Sequence, residues 1–267
     1  MSAIATTATS PSVLQVQVDR GIATLTLNRP AQYNALSAEL LAELQQALDR
    51  IAADASVRVV IIAANGKAFC AGHDLKEMRS REDRAFHEEL FDQCGKVMLT
   101  INRLPQPVIA QVQGIATAAG CQLVAQCDLA VAAQSARFAV SGINLGLFCS
   151  TPAVPLSRNV SRKRAMQMLL TGDFIDAETA VQYGLVNDVV PDAELAAATR
   201  ALAEKIAAKS QVALRLGKKM FYQQIEMDLE SAYRFGAERM ACNMQSEDAR
   251  EGIDAFIEKR EPRWKGR

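Results

Sequence analysis

The chain has 267 residues, 49% of them apolar and 22% charged, so burial can outweigh ordering entropy and a wholly disordered chain is excluded. Thirty basic side chains balance thirty acidic ones, which argues against a nucleic-acid partner, and no apolar run approaches the roughly 20 residues that span a bilayer. Six cysteines without C-x-x-C spacing and only two histidines, His73 and His87, imply reduced thiols in a cytoplasmic chain and no His-rich metal site.

Residues 1–12, MSAIATTATSPS, have neither a basic start nor an apolar core and read as a frayed tail rather than a secretory signal. Val13, Leu14, Val16 and Val18 then alternate approximately, Asp19-Arg20-Gly21 turns the chain, and 22–27 returns, which predicts a hairpin. Ser37 is placed to cap a helix over 38–53, where Leu41, Leu44, Leu48 and Ile51 recur at three or four residues. The run VVIIAA (59–64) is apolar on both faces and too short for a helix, so it predicts a buried strand. The charged stretch 79–89, with His87, Glu88 and Glu89, reads as a flap-like helix on the surface. A strand at 107–112, a helix at 117–126 and a strand at 128–132 follow, then helices at 161–170, with Met166, Leu169 and Leu170 on one face, and at 177–183. From 192 onward the pattern is almost wholly helical, with Leu195, Leu202 and Ile206 in one stripe. This predicts one α/β core followed by a helical C-terminal region.

Two segments place exposed backbone N–H groups beside strand ends. One is KAFCAGHDL (67–75), where Gly72 permits close approach and positive φ, and where Asp74 is placed to cap the turn that follows. The other is QGIATAAGCQ (113–122), a run of small residues entering a helix whose first N–H groups have no internal partner. Two such donors aimed at one point make an oxyanion hole. Small-residue runs also serve simple close packing.

The pieces LNRPAQYNALS (27–37), GKAFCAGHDLKEM (66–78), QPVIAQVQGIATAAGCQLVAQCDLAVA (106–132), LLTGDFIDAETAVQYGLVNDVV (169–190) and EGIDAFIEKREPRWKGR (251–267) stand in a specific order and spacing. On them the chain resembles the crotonase (enoyl-CoA hydratase/isomerase) family over roughly residues 13–267. The resemblance implies a spiral of repeated ββα units over 13–195 and a helical trimerisation region over 196–267, in a homotrimer or hexamer active in fatty acid metabolism. It implies an acyl-CoA thioester as substrate, coenzyme A arriving as part of that substrate, and no separate cofactor or metal. The thioester oxygen would lie between the N–H groups of His73 and Ala119, with CoA along Ala35, Ala71 and Leu75, and with Gly142, Cys149 and Ser150 at the acyl group.

The family's acid–base pair is absent. Gln122 and Gly142 stand where a hydratase of the family carries glutamates, and Ser150 stands where some isomerases carry their acid. An amide and a hydrogen cannot shuttle protons, a function worth about 10²–10⁴-fold in rate, although Gln122 can still orient a water through its amide. The expectation is an acyl-CoA enzyme of lyase, isomerase or thioester-hydrolysing type, in which standard hydration is impaired. The alternative is an acyl-CoA-binding protein with little or no turnover, serving as sensor, carrier or partner subunit. His73 offers either its N–H alone or a titratable ring as well. Cys149 reads as pocket lining rather than nucleophile, since no histidine is near in sequence. The basic tail 259–265 suits CoA phosphates or plain solubility, and Trp264 within it suggests that the tail docks.

Overall fold

The alternating and the continuous apolar runs end up in one sheet. The computed structural model describes residues 12–267, so the tail expected over 1–12 lies, Ser12 excepted, outside the described residues. β1 (Leu14–Asp19) and β2 (Ile22–Leu27) form the predicted antiparallel hairpin. α1 (Ala38–Ala53) starts where Ser37 Oγ accepts from the Leu40 N–H at 3.2 Å, and it buries Leu41, Leu44, Leu48 and Ile51 as their spacing requires. β3 (Val59–Ala64) runs parallel to β2 and is buried over almost all of its length.

From here the strands alternate between two sheets. β4 (Ala68–Cys70), α2 (Leu75–Ser80) and α3 (Arg84–Arg103) are followed by β5 (Val108–Val112), β6 (Ile115–Thr117) and α4 (Ala119–Gln126). β7 (Leu129–Ala133), β8 (Arg137–Ala139) and α5 (Ser150–Asn159) make the next turn. β3, β5 and β7 extend the six-stranded sheet, whereas β4, β6 and β8 supply three strands of a four-stranded one. Each turn therefore gives one strand to each sheet, which is the ββα spiral. α6 (Arg162–Thr171), β9 (Ile175–Asp176), α7 (Ala177–Tyr183) and β10 (Asp188–Val190) complete it, β10 pairing parallel to β7 at the sheet edge.

Three features differ from the sequence reading. The second strand of each turn has three residues, too few for a period to register, and β6 takes the start of the helix expected at 117. The flap-like helix over 79–89 is broken at 81–83, where Asp83 caps α3, a 20-residue helix that buries Leu90, Cys94, Val97, Met98 and Ile101. α6 buries Ala165, Met168 and Leu169, leaving Met166 and Leu170 exposed.

The C-terminal helices divide into two groups. α8 (Leu195–Ala207) packs Leu195, Ala203 and Ala207 onto Val59, Ile61 and Ile109 of the six-stranded sheet. α9 (Gln211–Gln224) buries only Val212, and α10 (Leu229–Met244) buries no residue. After α11 (Glu247–Ile257) the tail is docked as Trp264 suggested: its Nε1–H donates to the Ala208 carbonyl at 2.8 Å, and the Lys265 N–H donates to buried Asp248 at 2.7 Å. Among the described residues no helix is long and apolar enough to cross a membrane, and no cluster of three or more His, Cys, Asp or Glu side chains could hold a metal ion.

Candidate active site

The first N–H group is exposed by the way 33–36 runs beside 71–74. Asn34, buried at φ 54°, holds this turn: its Nδ2 donates to the Asn65 and Ala68 carbonyls at 2.8 Å each. The Leu36 N–H donates to the Gly72 carbonyl at 2.7 Å, and the Asp74 N–H to the Leu36 carbonyl at 3.2 Å. In such a parallel pairing the residue between, His73, turns its own N–H to the opposite side. Asp74 caps α2 as expected and also pairs with Arg29 Nη2 at 2.9 Å. Burial works to raise its carboxyl pKa, but the Arg29 guanidinium and the cap N–H groups outweigh it and hold the carboxyl below its usual range.

The second N–H group belongs to Ala119, the first residue of α4. Ala118 before it sits at φ 49°, ψ −120°, and donates its own N–H to the Ala139 carbonyl at 3.1 Å. An alanine at such angles is strained by on the order of 1–3 kcal/mol. Neither the His73 nor the Ala119 N–H donates a hydrogen bond among the described residues. Two glycines let their segments approach. A Cβ on Gly72, at φ 97°, would lie 2.9 Å from Ala118 Cβ and 3.3 Å from Ala119 N, and one on Gly120 would lie 2.0 Å from the Cys70 carbonyl oxygen. The two unspent donors thus sit on adjoining segments, one of them at a helix N-terminus.

Ala71, His73, Leu75, Ala119, Gly142, Cys149 and Ser150, all singled out in the sequence, line one cavity of about 350 Å³. Two candidates do not. Ala35 is buried beside it, and its carbonyl accepts from Arg29 Nη1, so a contact to CoA there must compete with the guanidinium. Gln122 is buried one turn into α4, off the cavity wall, and its Oε1 has no partner. The wall also contains Met78, Phe91, Leu145, Leu147 and Phe148. These come from α2, α3 and the turn after β8, and only their meeting in three dimensions reveals them.

The titratable groups of the wall are His73 and Cys149. Both nitrogens of the His73 ring are buried without a hydrogen-bond partner, the ring meets Phe91 edge-on at 5.4 Å, and burial pushes its pKa below the usual value. Burial raises the Cys149 thiol pKa, its Sγ accepts the Gly142 N–H at 3.3 Å, and this neutral, occupied sulfur is a poor nucleophile. Ser150 opens α5 with its hydroxyl donating to the Phe148 carbonyl at 3.3 Å. His87, expected to be solvated, is instead half-buried with Nε2 at 3.0 Å from the Met78 carbonyl, which ties α3 to α2.

Comparison with known proteins places the fold in a family. The profile of the Enoyl-CoA hydratase/isomerase family matches residues 17–267. The crystal structure of an enoyl-CoA hydratase from Mycobacterium smegmatis is 58% identical, with a TM-score of 0.94 over 96% of this chain and 99% of that one. That of human enoyl coenzyme A hydratase domain-containing protein 3 is 46% identical, with a TM-score of 0.92 over 94% of this chain and 100% of that one. The mouse relative, named enoyl-CoA hydratase domain-containing protein 3, mitochondrial, is 44% identical over 95% of this chain and 85% of its own length. The mitochondrial names of this and the other vertebrate relatives overturn the cytoplasmic assignment. Free thiols fit any reducing compartment and do not single out the cytosol. The chain belongs to the enoyl-CoA hydratase/isomerase family.

Proposed function

We propose that the protein binds an acyl-CoA thioester with the carbonyl oxygen between the His73 and Ala119 N–H groups, and processes it through an enolate or tetrahedral oxyanion. The observation that carries this reading is the pair of uncommitted backbone donors on adjoining segments of a cavity wall. Such preorganised donors strengthen as charge develops on the oxygen, and the α4 dipole adds to them. Because both are main chain, side-chain divergence leaves them in place.

Paired-glutamate hydration is not part of this proposal. Addition of water needs a base for the water and a proton for the α-carbon, and neither the Gln122 amide nor Gly142 exchanges protons near neutrality. Among the described residues no carboxylate stands in the cavity wall. The same fact favours a second reading, an acyl-CoA-binding protein without turnover. Calorimetric titration with acyl-CoA thioesters, run beside mass-spectrometric screening for products, tests both. Binding with turnover supports the first, binding without turnover the second, and a folded protein that binds none defeats both. The reading extends to assembly: α9–α11 are proposed to meet sister subunits in a trimer or hexamer.

A further inference from the structure

We infer that the acyl group taken by this cavity is an uncharged hydrocarbon chain of medium length, selected by the turn Leu145–Phe148 together with Met78 and Phe91; this rests on the thioester reading above. The wall has no charged side chain, and of its three hydroxyl residues two are already engaged. Ser141 Oγ lies 2.8 Å from Thr117 Oγ1, and Ser150 donates to the Phe148 carbonyl. A carboxylate or a hydroxyl at the far end of an acyl chain would lose its water there and find little in return.

Length follows from volume. At about 30 Å³ for each water-sized unit, the cavity of about 350 Å³ holds about twelve non-hydrogen atoms, that is the sulfur, carbon and oxygen of the thioester and roughly eight or nine further carbons. Leu145, Leu147 and Phe148 line the cavity and remain 61%, 49% and 47% exposed. They therefore present apolar surface that an acyl chain would cover, and covering it favours binding. Gly146, at φ 77°, ends the short helical turn that carries Leu145 and leads into Leu147 and Phe148.

The test is a calorimetric comparison of free CoA with butyryl-, octanoyl-, dodecanoyl- and suberyl-CoA, the last an eight-carbon chain ending in a carboxylate. Each added methylene is expected to tighten binding about fourfold as long as it is buried. Octanoyl-CoA, four methylenes longer, should then bind on the order of two hundred times tighter than butyryl-CoA, with dodecanoyl-CoA gaining much less per carbon. Suberyl-CoA should bind at least tenfold more weakly than octanoyl-CoA. Phe148→Ser should shrink the preference for octanoyl over butyryl, which a site elsewhere would leave unchanged. Equal affinity for suberyl- and octanoyl-CoA, or a flat response to chain length, overturns this inference while leaving the thioester reading intact. If no thioester binds better than free CoA, both fall.

Discussion

Because the Ala119 N–H has no acceptor among the described residues, replacing Ala119 with proline removes a donor without breaking an internal hydrogen bond at the first helical position. Ala118→Gly must accompany it, to remove the Cβ that the proline ring would meet at ψ −120°. Ala118→Gly with Ala119→Pro is expected to fold by circular dichroism and to lose any turnover about 10²–10³-fold; unchanged kinetics would remove Ala119 from the site. Placing acids at 122 and 142 is a different matter. Gln122→Glu would bury a carboxyl where the Oε1 already lacks a partner, so it should stay protonated near neutrality. A side chain at Gly142 meets Cys149 Sγ at 2.7 Å and the Leu147 carbonyl at 2.8 Å. Gly142→Glu is therefore expected to destabilise by about 1–3 kcal/mol, and the double variant to gain no hydration of crotonyl-CoA. His73 carries a pH signature. Its folded pKa is lowered by burial, so as pH falls below about 6.5 the unfolded chain takes up the proton first and stability declines until the folded ring also protonates. Urea midpoints at pH 7 and 5.5 should diverge less in His73→Phe than in the native chain. At this scale the sequence was legible where chemistry is local, as with Ser37 and Asp74 as caps, whereas His73 and Ala119 were singled out through the family resemblance. Met78, Phe91 and Phe148 were not, because they come to the cavity from separate elements.

α9 is an element held by charge more than by apolar packing. Its one fully buried residue is Val212, yet Lys218 reaches into the core, with Nζ 2.7 Å from Asp128 Oδ2 and within 3.0 Å of the Ile101 and Gln106 carbonyls. Tyr222 donates to the other Asp128 oxygen at 2.8 Å, and the Val108 N–H to Oδ2 at 2.7 Å. Burial lowers the Lys218 pKa against the pull of Asp128 and raises that of Tyr222. Lys218→Met leaves the Asp128 carboxylate with its two other hydrogen-bond donors but without the charge that balances it, a change expected to cost about 3–5 kcal/mol. Urea unfolding should show it as a lower midpoint. A loss below about 1 kcal/mol, the size of an exposed pair, would mean that water reaches the cluster. The strand that Asp128 opens was legible in the sequence, but its pairing with Lys218, 90 residues away, was not, since no local pattern links the two. The same limit explains the strands. β1, β2, β3, β5 and β7 were legible because five or six residues show alternation or continuous burial, whereas three residues of β4, β6 or β8 are defined only by partners in other turns.

At the scale of the whole molecule, helical periodicity reveals apolar faces without saying what they meet. The stripe of α8 covers the subunit's own sheet, and Leu216 and Met220 on α9 are partly buried within the subunit. Leu229 and Phe256, however, are 75% and 85% exposed, and Ile225, Tyr233, Met240 and Ile257 also face outward from the last three helices and their turns. Apolar surface gathered in one region of the chain, rather than scattered singly, marks an interaction face. Covering it with sister copies would contribute about 1.5–3 kcal/mol for each large side chain fully buried, enough in sum to hold an assembly at low concentration. The chain is accordingly expected to scatter light as a trimer or hexamer at micromolar concentration. Leu229→Glu and Phe256→Glu leave the subunit's own core untouched, so each should shift the distribution toward monomer while preserving the circular dichroism spectrum. A native chain that scatters as a stable monomer would mean that these helices serve another purpose.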